Sequence, residues 1–171
     1  MYNNVTSYVF NDLCKNGISS LRFNFRGVGN SIGPNSGIEG ELEDVRTCLN
    51  YLITQNAEKI LICGYSYGAA IGCSAVNYLN EIIGFCAISF PWDFMGERFK
   101  EMTQTNKSKL FIQGTNDNIA PFQNFSLHYA SYSEPKSRVF IEGADHFYGG
   151  FESIISSEIL KFVKVQFGIT N

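Results

Sequence analysis

Ser66 is the residue around which chemistry can be read in this chain. It stands in Gly64-Tyr65-Ser66-Tyr67-Gly68, with a distinct segment on either side. Lys59-Ile60-Leu61-Ile62-Cys63 is a short apolar run that predicts a buried strand, and Ala69 to Val76 is small and apolar at helical spacing. A G-x-S-x-G between a strand and a helix is the sequence form of a nucleophile elbow. The glycines let the backbone turn sharply and let strand and helix approach, leaving the hydroxyl exposed at the helix N-terminus. In a chain with 16 glycines the five-residue pattern alone is weak, and the flanking segments are what strengthen it.

A serine hydroxyl is a poor nucleophile at neutral pH and needs a base, which in turn needs a carboxylate to orient it. Two histidines are available. His128 falls mid-helix among Ser126, Leu127 and Tyr129, which suits a surface or interface residue. His146 follows the last predicted strand in Gly143-Ala144-Asp145-His146, where loops at strand C-termini converge on a site. Asp117 and Asp145 compete for the orienting role. Asp117 ends Gly114-Thr115-Asn116-Asp117 and yields the chain order Ser, Asp, His, although its plainer reading is a helix cap before Ala120-Pro121. Asp145, adjacent to His146, suits local turn hydrogen bonds. The glycine-rich Arg26-Gly27-Val28-Gly29-Asn30-Ser31-Ile32-Gly33 does not read as a nucleotide loop. Its spacing is G-x-G-x-x-x-G, it lacks Lys-Ser/Thr, and no helix opens directly after it.

The elements that must position these residues alternate along the chain. Residues 3–16 put Val5, Val9, Phe10 and Leu13 on one helical face, with Gly17 as a stop. Ile18 to Phe25 reads as a strand and 26–40 as a loop. Ile38, Leu42, Val45, Leu49 and Leu52 mark an amphipathic helix. After the serine strand and its helix, Ile82 to Phe90 is a strand, Pro91-Trp92-Asp93 turns the chain, and Phe99 to Met102 is a short helix. Leu110 to Ile112 and Arg138 to Ile141 are strands, 121–131 is a helix, and a closing helix carries Phe151, Ile154, Ile155, Ile159, Phe162 and Val163. This alternation predicts an α/β fold, a mostly parallel sheet with helices on both faces.

At 171 residues with no visible linker, the chain reads as one domain spanning 1–171. A net charge of −3 gives no electrostatic reason to expect nucleic acid or an anionic membrane as partner. The five cysteines show no C-x-x-C spacing, which argues against a zinc site or a disulfide framework and for a cytoplasmic setting. Cys63 and Cys86 fall in strand-like runs and read as small buried hydrophobes. No export signal or membrane span is expected, and the three N-x-S/T sequons read as chance.

Taken together, Leu21-Arg22-Phe23-Asn24-Phe25-Arg26-Gly27-Val28-Gly29-Asn30-Ser31, Gly40-Glu41-Leu42-Glu43-Asp44, the Ser66 pentapeptide, Gly114-Thr115-Asn116-Asp117 and Gly143-Ala144-Asp145-His146-Phe147 resemble the α/β-hydrolase superfamily. More narrowly they resemble its small, cap-less members close to dienelactone hydrolase. The resemblance covers nearly the whole chain in the family's order. It implies a three-layer sandwich and a triad of Ser66 as nucleophile, His146 as base and Asp117 as orienting carboxylate. It also implies an oxyanion-hole N–H from Tyr67, no metal and no cofactor. About eight residues between Phe90 and the next helical stretch leave no room for a lid, so a small soluble acyl substrate is expected, with Trp92, Phe94 or Tyr67 lining its site.

The resemblance departs at the start. The chain begins in what looks like the family's first helix, so the first strands and the turn that supplies a second oxyanion N–H are expected to be missing. The third of those strands would lie between 20–25 and the serine strand, and its loss leaves a gap or forces those two to pair. An N-terminally shortened hydrolase and a natural degenerate member both account for this. The leading expectation is a serine hydrolase of the esterase or thioesterase kind, with peptidase and acyltransferase as variants. The alternative is a non-catalytic scaffold used for binding or homo-oligomerisation.

Overall fold

A computed structural model describes residues 2–34 and 36–169. Four parallel strands form one sheet in sequence order: β1 (Ile60–Tyr65), β2 (Ile82–Ile88), β3 (Ser108–Gly114) and β4 (Lys136–Ile141). Seven helices are found among the described residues: α1 (Asn4–Lys15), α2 (Gly37–Thr54), α3 (Tyr67–Cys73), α4 (Trp92–Met95), α5 (Glu97–Met102), α6 (Phe122–Ala130) and α7 (Glu152–Phe167). None is long and apolar enough to cross a membrane.

The central strands are apolar on both faces because helices cover both. Phe85 and Ala87 of β2 and Phe111 of β3 point to one side and pack with Leu42, Val45 and Leu49 of α2, Ile71 of α3 and Phe125 of α6. Their neighbours Cys86, Ile88, Leu110 and Ile112 point to the other side, against Val5, Val9 and Leu13 of α1 and Ile155, Ile159 and Val163 of α7. Each Val, Leu, Ile or Phe side chain among these, fully buried, contributes roughly 1.5–3 kcal/mol. The spacing that marks α1 and α2 in the sequence is therefore the spacing of their buried faces. Asn3 caps α1 by accepting from the Thr6 N–H at 3.1 Å, and Gly168 ends α7 in the left-handed conformation.

Two elements depart from the expected pattern. Pro91-Trp92-Asp93 is not merely a turn, since Trp92 opens α4. Ile18 to Phe25 is not a strand, and the segment joins no sheet ladder. It has β-like composition, but among the described residues no strand lies beside it. Across from it β1 pairs with β2 alone among the described residues, and a cavity of about 360 Å³ separates β1 from the segment. Of the two outcomes expected there, the gap is the one observed. It also exposes Cys63, which the sequence pattern places in the core, whereas Cys86 one strand over is buried.

Candidate active site

The C-terminal ends of three strands supply the reacting groups. Ser66 follows β1 and caps α3 with φ 53° and ψ −124°, its N–H bonded to the Ile88 carbonyl at 2.8 Å. Gly64 makes this turn feasible, because a Cβ there would meet Ala69 Cα and the Gly68 carbonyl oxygen at 2.5 Å. Gly114 does the same at the end of β3. A Cβ on it would meet the Ala144 carbonyl at 2.4 Å, so glycine lets the loop after β4 close onto the loop after β3. The Asn116 N–H to Ala144 carbonyl bond at 2.9 Å then ties those loops together.

This closure brings Ser66, His146 and Asp117 into one line. Ser66 Oγ lies 2.8 Å from His146 Nε2, and His146 Nδ1 lies 2.9 Å from Asp117 Oδ2 and 3.0 Å from Oδ1. A carboxylate only accepts, so Nδ1 carries the imidazole proton and Nε2 is free to accept from the serine hydroxyl. Asp145, the competing carboxylate, instead accepts the N–H groups of Phe147 and Tyr148, as a turn aspartate does.

Asp117 is 1% exposed and surrounded by donors. His146, the Ser89 hydroxyl at 2.6 Å, the Gln113 amide at 3.0 Å and the backbone N–H groups of Ile119 and Ala120 all point at it. The last two lie in the turn before α6, whose cap position is Pro121, so Asp117 is a turn residue there and not the helix cap its position suggests. Burial pushes its pKa up, but the bonds from His146, Ser89 and Ala120 outweigh that and hold it below the ordinary aspartate value.

A second hydrogen-bonded chain leads away from Asp117. The Gly114 N–H donates to Tyr148 Oη at 2.8 Å, Tyr148 Oη lies 2.7 Å from Ser89 Oγ, and Ser89 donates to Asp117. An N–H at one end and a carboxylate at the other fix the direction, so Tyr148 must donate to Ser89. Burial raises the Tyr148 pKa above the ordinary phenol range, which keeps it a donor. Tyr65 Oη donates to the His146 carbonyl at 2.7 Å, its own pKa pushed up to about 12 by burial and by Asp117.

With this geometry in place, similarity to known proteins becomes informative. Residues 1–154 match the model of the family described as "Alpha/beta hydrolase domain". The chain belongs to that family. It is 33% identical over 156 residues to an uncharacterized protein of Rickettsia prowazekii, covering 86% of this chain and 66% of that one. Hence it spans slightly less than two thirds of that relative's length. An α/β serine hydrolase homologue from Coxiella burnetii superposes with a TM-score of 0.84 at 28% identity, covering 94% of this chain and 76% of its own. A lidless α/β serine hydrolase from Xanthomonas campestris gives 0.83 at 26% identity, with 96% and 74% covered.

In this hydrolase domain Tyr67 begins α3, in the first turn where backbone N–H groups have no intrahelical partner. Its hydroxyl bonds the Glu41 carboxylate, and its pKa is pushed up to about 12 by burial and by that bond. Trp92 does not line the site. It is 6% exposed, stacked between Phe90 and His128, with its indole N–H donated to Tyr132 Oη at 3.0 Å. An indole after a strand buries more area by packing inward over Phe111 than by facing an open cleft. His128 is likewise not a surface residue. It is buried, with Nε2 3.0 Å from Asp93. Phe94, by contrast, is 79% exposed, and Phe147 is 61% exposed and set edge-on to the His146 ring.

Sequence reasoning missed Ser89, Gln113, Tyr65 and Tyr148. All four lie at strand ends or within two residues of Ser66 or His146, and that position was the available signal. No group of three or more metal-ligating side chains occurs among the described residues.

Proposed function

We propose that the chain is a serine hydrolase cleaving an ester, thioester or related acyl bond of a small substrate. The observation that carries this is the unbroken Ser66–His146–Asp117 line at 2.8 and 2.9 Å. Ser66 Oγ attacks the acyl carbonyl as His146 Nε2 takes its proton, while Asp117 holds the imidazole tautomer and steadies the imidazolium. The Tyr67 N–H, at the positive end of α3, donates to the oxyanion of the tetrahedral intermediate. As that intermediate collapses, His146 returns the proton to the departing alcohol or thiol. Water, deprotonated by His146, then releases the acyl group from Ser66. The short α4 and α5 leave the site open, and the exposed Phe147 beside His146 offers an apolar wall for the acyl chain.

The test is intact-mass labelling with a fluorophosphonate, with circular dichroism to confirm folding. One adduct, absent in Ser66→Ala, is the expected result. No adduct on folded protein, or an adduct that survives Ser66→Ala, overturns the mechanism and leaves the non-catalytic scaffold as the better account.

A further inference from the structure

Tyr65, next before the nucleophile, reaches the same residue that the nucleophile does. Its Oη donates to the His146 main-chain carbonyl at 2.7 Å, while Ser66 Oγ lies 2.8 Å from His146 Nε2. Neighbours in an uninterrupted strand point to opposite faces, and the left-handed turn at Ser66 is what lets both meet His146. The Tyr65 and His146 rings also lie 5.5 Å apart, tilted by 36°. We propose that Tyr65 is a positioning residue, its phenol holding the His146 main chain where Nε2 reaches Ser66, a role that rests on the hydrolase reading of the site.

Base and nucleophile come from distant strands. β2 and β3 lie between β1 and β4, so about 14 Å of sheet separates the two strand ends, at about 4.8 Å per step. The loop after β4, residues 142–151, is tied closely to the loop after β3. The Asn116 N–H donates to the Ala144 carbonyl, the Gly143 N–H to Thr115 Oγ1 at 2.8 Å, and Asn116 Nδ2 to the Gly143 carbonyl at 3.2 Å. Those bonds set His146 against Asp117, but they do not set it against Ser66. Further ties of the same loop run to Ser89 and Gly114 through Tyr148, and to Asn4 through the Phe147 carbonyl. Among the described residues, two hydrogen bonds join this loop to β1 and its elbow: Ser66 to His146, and Tyr65 to His146. The Tyr65 bond is the one that stays when Ser66 gives up its proton and bonds to an acyl carbon. Its phenol keeps its own proton, the pKa being pushed up to about 12 by burial and by Asp117. Tyr65 is also anchored at its other end, since the β1–β2 ladder pairs it with Ile88, and its ring packs edge-on to Tyr148 at 6.2 Å. A strut fixed at both ends carries the position of the sheet to the base, and a reacting group misplaced by about 1 Å costs about 10² in rate.

Tyr65→Phe removes the donated hydroxyl and keeps the ring. Labelling by a fluorophosphonate, followed by intact mass over time, separates the extent of reaction from its rate. The variant is expected to reach the same single adduct as the parent chain, but about 10- to 10²-fold more slowly. On a chromogenic acetate ester kcat falls by the same factor and KM stays within about twofold, since the phenol touches the base and not the substrate. In a His146→Ala background Tyr65→Phe changes the residual ester turnover by less than about twofold, because no imidazole remains to be placed. Three results overturn the proposal: equal labelling rates in parent and Tyr65→Phe, a lower final extent at an unchanged rate, or the full effect of Tyr65→Phe retained without His146. Each of these leaves the hydrolase reading standing. A parent chain that takes no adduct overturns that reading instead, and with it the role of Tyr65.

Discussion

Tyr148→Phe removes one oxygen and leaves the ring, the backbone and the three groups of the Ser66–His146–Asp117 line in place. In the native chain that oxygen accepts from the buried Gly114 N–H and donates to Ser89, which donates to Asp117. Its loss strands the Gly114 N–H without an acceptor, which costs about 1–3 kcal/mol. Ser89 keeps its own bond to Asp117 and loses only the cooperative part, about 10–30% of one bond. The expected outcome is a loss of about 2 kcal/mol in stability, or about 4–8 °C in Tm for a chain of this length. Activity per folded molecule should fall less than about tenfold, since a loss of 10–30% of one bond is small beside 1.36 kcal/mol. Differential scanning fluorimetry and initial rates on a chromogenic acetate ester, normalised to fluorophosphonate-titrated sites, separate the two effects. An unchanged Tm would refute the hydrogen-bonded chain. A large loss of kcat with unchanged Tm would mean Tyr148 acts on the reaction directly.

Asp117→Asn should lower kcat by about 10³–10⁴, because the amide no longer enforces the proton on Nδ1. It should also destabilise, because an NH₂ then faces the donors Ser89 and Gln113, and urea titration reads this separately. In the parent chain Asp117 and Asp44 both have folded pKa values below the ordinary 3.8, so their stabilisation is complete above that pH and is lost as pH falls through the folded values. Urea midpoints between pH 7 and 3 should therefore be flat near neutrality and drop below about pH 4. The drop should be shallower in Asp117→Asn, and an identical slope would contradict the assignment. Trp92→Ala should cost about 3–5 kcal/mol as a core deletion without a selective rise in KM. A KM effect in a fully folded variant would restore Trp92 to the substrate site.

Which parts were legible depended on whether local pattern and tertiary environment agreed. The helices at 4–15 and 37–54 show their buried faces as apolar spacing, and the elbow is visible because glycine was required at 64 for a close approach. Asp117 and His146 could be placed by their position after strands. Trp92 was misread because an aromatic after a strand packs inward or outward according to neighbours far away in sequence, here Tyr132 and His128. The segment 18–25 was misread for a similar reason: β-propensity describes fit to a neighbouring strand, and none flanks it. Ser89 and Tyr148 carry no motif, and their role exists only once β2, β3 and the loop after β4 are assembled.

Backbone strain is distributed in a way that ties these features together. Among the described residues four that are not glycine have positive φ: Asn56, Ser66, Ser89 and Tyr148. Asn56 follows the end of α2, where asparagine is tolerated. The other three all belong to the site, and each costs about 1–3 kcal/mol unless the surroundings over-determine it. The surroundings do so. Each has its N–H bonded, Ser66 to Ile88, Ser89 to Ile112 and Tyr148 to Asp145, and each has its hydroxyl bonded within the network that ends at His146 and Asp117. The sheet and its helices thus hold three unfavourable backbone conformations at once, and what they obtain is a serine hydroxyl, an imidazole and a carboxylate aligned before any substrate arrives. Relaxing any one of the three would give up its backbone bond and its place in that network together, so the strain and the alignment are a single feature of the fold.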